Sequence, residues 1–397
     1  MSRSWVTVAA VLLFASSALA QQRPAPEPDE RIPTRTGALR LQHLGTLDNP
    51  WGMAFLPDGR LLITEKSGVL RMYDGKTISG AIPGVPKVAF RKQTGLADVE
   101  VDPDFRRNGF IYLSYAEPAD QTPGTSDPGD PRLAKFNDFG DNVIKGGAVA
   151  RARLDGGALR DVKVIWRQDH KTLGRGHVAG RLLFGPDGKL YITSGERMRF
   201  DPAQDLGSNL GKVVRINADG SIPTDNPFVG RPGARGDIWS YGHRNPNGIA
   251  FQPRTGHLWL NEFGPKGGDE FNLIERGGNY GWPIVNDSLN YDDSPNAPHA
   301  SRPDFKAPAR VWTPVISPSG LLFYSGKLMD WRDDAIIGGL SSKALIRLSM
   351  NGDRVTAEER IPMDRRIRDV IEAPDGALFV LVDGDDGELL RLTPARR

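Results

Sequence analysis

The chain has 397 residues, with 51 lysines and arginines against 49 aspartates and glutamates, for a net charge of +2. That interspersed balance provides no basic face for nucleic acid, and the absence of cysteine excludes disulfides, thiolate metal sites and a cysteine nucleophile. With 46 Gly and 31 Pro, the sequence is dense in turns, as expected of many short strands.

Residues 1–20 read as a secretory signal. Arg3 supplies a positive start, residues 6–13 form an apolar run, and Ala18-Leu19-Ala20 is a small-x-small cleavage site. The apolar run is too short to span a bilayer, and no second segment approaches its length. A soluble, exported, periplasmic protein is therefore expected. Residues 21–37, rich in Pro, Glu and Arg, predict a disordered lead-in. Residues 38–397 then predict a single domain.

From Trp51 onward an apolar β-run, a Pro-Asp-Gly-type turn and a second β-run recur. The first copy turns at Pro57-Asp58-Gly59, the second at Pro103-Asp104, the third at Pro186-Asp187-Gly188 and the fourth at Pro253-Arg254-Thr255-Gly256. A degenerate fifth copy pairs residues 319–324 with 334–338, and the sixth turns at Pro374-Asp375-Gly376. Proline presets the turn's φ, aspartate caps it and glycine takes the left-handed position. Several copies carry a further strand, such as Val69-Leu70-Arg71-Met72. One hairpin cannot bury both faces, so neighbouring copies must share cores. Six such copies predict an all-β, six-bladed β-propeller of four-stranded antiparallel blades. A β-sandwich with similar turns is the alternative architecture. Residues 117–147, polar and rich in Pro, Gly and Asp, predict a long surface loop.

Four stretches entering or leaving the blades hold polar residues that strand building does not require. His177 lies among glycines just before the third copy, where imidazole suits general-base work. A lone loop histidine is more often structural or solvated. Arg244 and Asn245 precede the fourth copy and offer a guanidinium fork and an amide. Arg-Asn-Pro equally makes a plain turn. The stretch from Glu262 through Gly264, Pro265, Asp269 and Glu270 to Tyr280 combines hard oxygen donors with exposed carbonyls that suit Ca²⁺. It equally reads as a solvated acidic loop. Arg366 and Arg368 precede the sixth strand run at a spacing that places both on one face of an extended segment, as an anion clamp or a basic edge. A closed ring brings these stretches together on one face, around its axis.

From about Leu39 onward the chain resembles the soluble PQQ-dependent (pyrroloquinoline quinone) glucose and aldose sugar dehydrogenases. The resemblance rests on Gly264-Pro265-Lys266-Gly267-Gly268-Asp269-Glu270-Phe271-Asn272-Leu273-Ile274, Gly277-Gly278-Asn279-Tyr280-Gly281-Trp282-Pro283, Gly242-His243-Arg244-Asn245-Pro246-Asn247-Gly248 and His177-Val178-Ala179-Gly180-Arg181-Leu182. It implies oxidation of an aldose at the C1 hydroxyl to a lactone, by hydride transfer to PQQ, with electrons passing to an external acceptor. It implies His177 as the base, Gln93 near sugar and cofactor, and Arg368 stabilising charge on the quinone. Arg244, Asn245, Arg366 and Arg368 are implied as PQQ contacts. The carbonyls of Gly264 and Pro265 are implied to hold the calcium that also binds PQQ, and Glu270 and Tyr280 a second, structural Ca²⁺.

Two positions depart from the family. A basic cofactor residue is usual where Ser341 stands here; a slip of two residues, over ~6 Å along a strand, would make Lys343 that PQQ contact. Phe263 stands where the glucose enzymes have glutamine. The long dimer-forming insertions are absent, so a monomer is expected. A calcium-dependent lactonase on the same fold and a non-catalytic sugar- or protein-binding propeller are the rival functions.

Overall fold

The computed structural model describes residues 30–120, 143–174 and 176–395. The chain opens with a hairpin of β1 (Glu30–Thr34) and β2 (Gly37–Leu47). Blade I follows as β3 (Pro50–Phe55), β4 (Leu61–Glu65) and β5 (Val69–Tyr73), and blade II as β6 (Leu96–Val101), β7 (Phe110–Pro118), β8 (Lys145–Asp155) and β9 (Ala158–Arg167). Blade III comprises β10 (Ala179–Phe184), β11 (Leu190–Ser194), β12 (Lys212–Ile216) and β13 (Ile238–Tyr241). Blade IV comprises β14 (Pro246–Phe251), β15 (Leu258–Glu262), β16 (Asp269–Ile274) and β17 (Arg310–Trp312). Blade V contains β18 (Pro318–Phe323), β19 (Ala335–Gly339), β20 (Ala344–Asn351) and β21 (Arg354–Pro362), and blade VI β22 (Ile367–Glu372), β23 (Leu378–Val382) and β24 (Gly387–Pro394). All strand pairs within the blades are antiparallel, and the first strands of successive blades touch in a closed series from β3 round to β22 and back. The fold is a six-bladed β-propeller.

The turn triplets do what their chemistry dictates. Gly59, Gly188 and Gly376 have φ of 89°, 70° and 91°, and the Asp58 carboxylate accepts the Arg60 N–H at 3.1 Å. Among the described residues, six apolar cores lie between neighbouring blades, and a smaller seventh gathers Met198, Phe200, Ala203 and Trp282 outside the strands. Leu62 and Leu70 of blade I pack with Val99 and Leu113 of blade II, and Trp259 and Phe271 of blade IV with Ile337 and Ile346 of blade V. Each fully buried Leu or Ile contributes about 1.5–3 kcal/mol, so each blade stands only while both neighbours do.

Blade size differs from the uniform four strands expected. Blade I has three regular strands, and its fourth position is taken irregularly by residues 78–82, where Ile78 bridges Tyr73 and the Ser79 and Ile82 N–H groups donate to the Met72 and Leu70 carbonyls of β5, each at 2.8 Å. Blade VI has five, because β2 pairs with β24 and carries β1 with it, closing the ring with the other end of the chain. The lead-in expected over 21–37 is thus ordered from Glu30, where buried Ile32 joins the core between blades V and VI. Residues 1–29 lie outside the described residues. The loop expected over 117–147 is shorter at both ends, since β7 and β8 pair out to Pro118 and Lys145, and its centre, 121–142, lies outside the described residues.

Every inner strand begins with a register shift, at residues 50–53, 96–99, 179–182, 246–248, 318–321 and 367–369. Such bulges free backbone groups for side chains to bind. At the axis Arg181 collects them: Nε donates to the Asn247 carbonyl at 2.8 Å and Nη2 to the Arg368 carbonyl at 3.0 Å. Its Nη1 lies 2.9 Å from Asp369 and 3.4 Å from Asp98, and its guanidinium stacks over Trp51.

Candidate active site at the axis of the ring

Above Arg181 the bulged strand starts surround a cavity of about 690 Å³, within the range of small-molecule sites. Its wall includes Gln93, Asn245, Gly264, Pro265, Arg366 and Arg368, brought from blades I–II, IV and VI, together with Lys66, Trp51, Phe263 and Tyr291.

His177 lies at the cavity's edge, just before β10, and Val178 and Ala179 after it line the wall. It adopts φ of +47°, and Ala179 +56°, a conformation that costs roughly 1–2 kcal/mol in a residue with a Cβ. The surroundings enforce it. The His177 N–H donates to Gln93 Oε1 at 3.0 Å, and its carbonyl accepts the Arg197 N–H at 3.2 Å. Nδ1 is paired with Glu196, which the sequence reading missed. Glu196 is fully buried just past β11, and its second oxygen accepts the Phe200 N–H at 2.8 Å. Burial pushes its carboxyl up, but His177, Arg244 and these donors outweigh it, holding Glu196 ionised below the usual range. An anion therefore fixes the ring and its tautomer. No sequence motif marks Glu196; only the fold brings it to His177.

Arg244 donates through Nη1 to the carbonyls of Phe263 (3.1 Å) and Gly264 (2.9 Å) and through Nη2 to the Tyr291 hydroxyl, between the rings of Tyr291 and Trp282. Its Nε and Asn245 Oδ1 are buried without partners among the described residues. The Gly264–Pro265 turn is organised by Asp269, whose carboxylate accepts the N–H groups of Gly264, Ile316 and Ser317 at 2.7–2.8 Å. Burial lifts Asp269 to about 6 against those donors.

Arg366 and Arg368 both grip Asp383, at 3.1 and 3.0 Å, and Lys66 approaches the same carboxylate at 3.4 Å. Three cations thus share one carboxylate. Neither Asp383 nor Lys66 stood out in the sequence, because each is an ordinary turn residue until the ring closes.

Other expected residues lie elsewhere. Lys343 is exposed in the β19–β20 turn, with φ of +50° and its carbonyl bonded to the Met363 N–H, and the structure does not bring it to the cavity. Ser341 is also exposed, bonded to Ser317 and Val315, while Leu340 reaches the wall. Glu270 and Tyr280 are buried beside the cavity, not on it. The Glu270 carboxylate is bonded by Asn272 and Asn286, and burial beside Glu262 pushes it well up. His299 Nε2 lies 3.4 Å from the Tyr280 carbonyl and 3.9 Å from Glu270, so an imidazole already stands where these two oxygens meet. His243, from the same motif as Arg244, is wholly structural: it bridges Ser240 and Glu262 and stacks on Tyr280.

The ring is thus a closed propeller whose axial cavity carries Lys66, Arg366 and Arg368 around Asp383, beside a histidine held by a buried carboxylate. The chain belongs to the Glucose / Sorbosone dehydrogenase family, whose profile matches residues 47–391. It is 42% identical over 357 residues to the aldose sugar dehydrogenase YliI of Escherichia coli, covering 88% of this chain and 91% of that one. Among solved structures it is similar to the soluble aldose sugar dehydrogenase of E. coli in its apo form, with a TM-score of 0.81 and 39% identity over 90% of this chain and all of that one. It is also similar to the PQQ-bound aldose sugar dehydrogenase of Streptomyces coelicolor, with a TM-score of 0.68 and 26% identity over 89% of this chain and 98% of that one. Among the described residues, no helix is long and apolar enough to cross a membrane.

Proposed function

We propose that this chain is a quinoprotein that oxidises the C1 hydroxyl of aldose sugars to lactones using PQQ and Ca²⁺, passing electrons to an external acceptor. The observation that carries this reading is one cavity lined by Lys66, Arg366 and Arg368 and by Gln93, Val178 and Ala179, with the His177–Glu196 pair bonded directly behind Gln93. The PQQ-bound state of the Streptomyces relative supports it.

The residues fit both groups. A planar tricarboxylate needs fixed cations and polar atoms, and the cavity wall provides Lys66, Arg366, Arg368 and Asn245, whose Oδ1 is without a partner among the described residues. The carbonyls of Gly264 and Pro265, both on the cavity wall, would hold Ca²⁺, since hard oxygens suit it, with the Gly264 oxygen exchanging the Arg244 N–H that it accepts here. When bound, PQQ supplies the two-electron acceptor for the C1 hydride, and Ca²⁺ polarises it as a Lewis acid.

His177 takes the proton of the anomeric hydroxyl at Nε2, while Glu196 holds Nδ1 and stabilises the imidazolium that results. Gln93 orients the sugar beside His177. Arg368, buried and fixed on Asp383, opposes the negative charge that builds up as the sugar is oxidised. Residues 1–20 would direct export, and the mature enzyme would act as a soluble periplasmic monomer.

Apo-protein reconstituted with PQQ and Ca²⁺ should reduce a dye with aldoses as donors. EDTA treatment should abolish that activity, and Ca²⁺ with PQQ should restore it. Lactone hydrolysis without PQQ, or no dye reduction with any aldose, would overturn the reading.

A further inference from the structure

Lys66 begins the turn after β4, beside the basic pair but on the neighbouring blade. Its backbone is pinned on both sides: the N–H donates to the Asn49 carbonyl and the carbonyl accepts the Leu96 N–H, each at 3.0 Å. Gly95 presses against it so closely that a Cβ there would stand 2.3 Å from the Lys66 oxygen, which locks Lys66 to the loop carrying Gln93. The side chain, only 10% exposed, lines the cavity, and Nζ lies 3.4 Å from Asp383 Oδ1. That oxygen already accepts Arg368 at 3.0 and 3.2 Å, and Arg366 takes Oδ2. The neighbouring acid on the wall, Asp385, is bonded to Asn49 at 2.6 Å.

A buried ammonium with one long contact to a carboxylate that two arginines share is under-neutralised. Burial pushes its pKa down; Asp383 opposes this, and Arg368 and Arg366 add to it. An anion entering the cavity would relieve that repulsion, whereas Lys343 is exposed and does not line the cavity.

We propose that Lys66 is a third cationic anchor for the anionic cofactor, doing in this chain, with Arg366 and Arg368, what a basic residue near position 341 does in the family it resembles. This rests on the PQQ reading above.

The test is a titration of the Ca²⁺-loaded protein with PQQ, read by tryptophan quenching, for the wild type, Lys66→Gln, Lys66→Arg and Lys343→Ala. Lys66→Gln should weaken PQQ binding about ten- to a hundredfold, the size of one charge-assisted contact. Lys66→Arg should stay within about threefold of wild type, because the charge is kept. Lys343→Ala should bind as wild type. Wild-type affinity in Lys66→Gln, equal losses in Lys66→Gln and Lys66→Arg, or a loss confined to Lys343→Ala would overturn the inference while leaving the cofactor reading intact. A wild-type protein that binds no PQQ would overturn both.

Discussion

Replacing His177 with alanine should lower kcat about a thousandfold while PQQ still binds, because general-base assistance is lost and the cation cluster is untouched. Glu196→Gln tests the same unit from behind. The amide keeps the shape of the carboxylate but cannot stabilise an imidazolium, so kcat should fall about a hundredfold or more. Because Glu196 is held ionised below the usual carboxylate range, it should add no acid limb of its own. The rate should decline once with falling pH, as an imidazole takes up its proton. Steady-state dye reduction across pH, beside a PQQ titration of each variant, measures all of this. Near-wild-type turnover in His177→Ala would remove the assigned base.

The second large effect concerns the axis itself. Arg181→Met should destabilise the fold by about 3–5 kcal/mol, because it leaves Asp98 and Asp369 buried without their cation. Burial, with Asp369 adding to it and Arg181 opposing, already raises Asp98 to about 7. The sign of the pH effect follows. A carboxyl raised in the folded state prefers its proton there, so stability increases as pH falls through about 7 toward the ordinary carboxylate value. The variant's deficit should therefore shrink between pH 8 and pH 5.5 in denaturant melts. An equal deficit at both would mean that packing over Trp51, not charge, is what Arg181 supplies.

The sequence made the ring legible because its signals are local. Pro57-Asp58-Gly59 and its repeats specify a turn within three residues, and each turn fixes two strands. Blade closure was not legible, since the pairing of Leu39 with Pro394 joins opposite ends of the chain and no local pattern encodes it. The site divides in the same way. His177, Arg244, Arg366 and Arg368 sit in unusual strings and could be singled out. Glu196, Asp383 and Lys66 sit in ordinary turns, and their importance arises only from what lies 3 Å away in space. Lys343 is the converse case: it is near the right place in sequence, but it stands exposed in a left-handed turn and does not line the cavity.

The pairing of β2 with β24 also ties the site to closure of the ring. Lys66 stands on the first blade, and Arg366, Arg368 and Asp383 on the last, so the charged grip spans the seam where the thread meets its own beginning. Until the final strand pairs, blades I and VI each lack a neighbour, and the place where an anion would be held is incomplete. If PQQ is held there, its uptake would report that the circle has been joined.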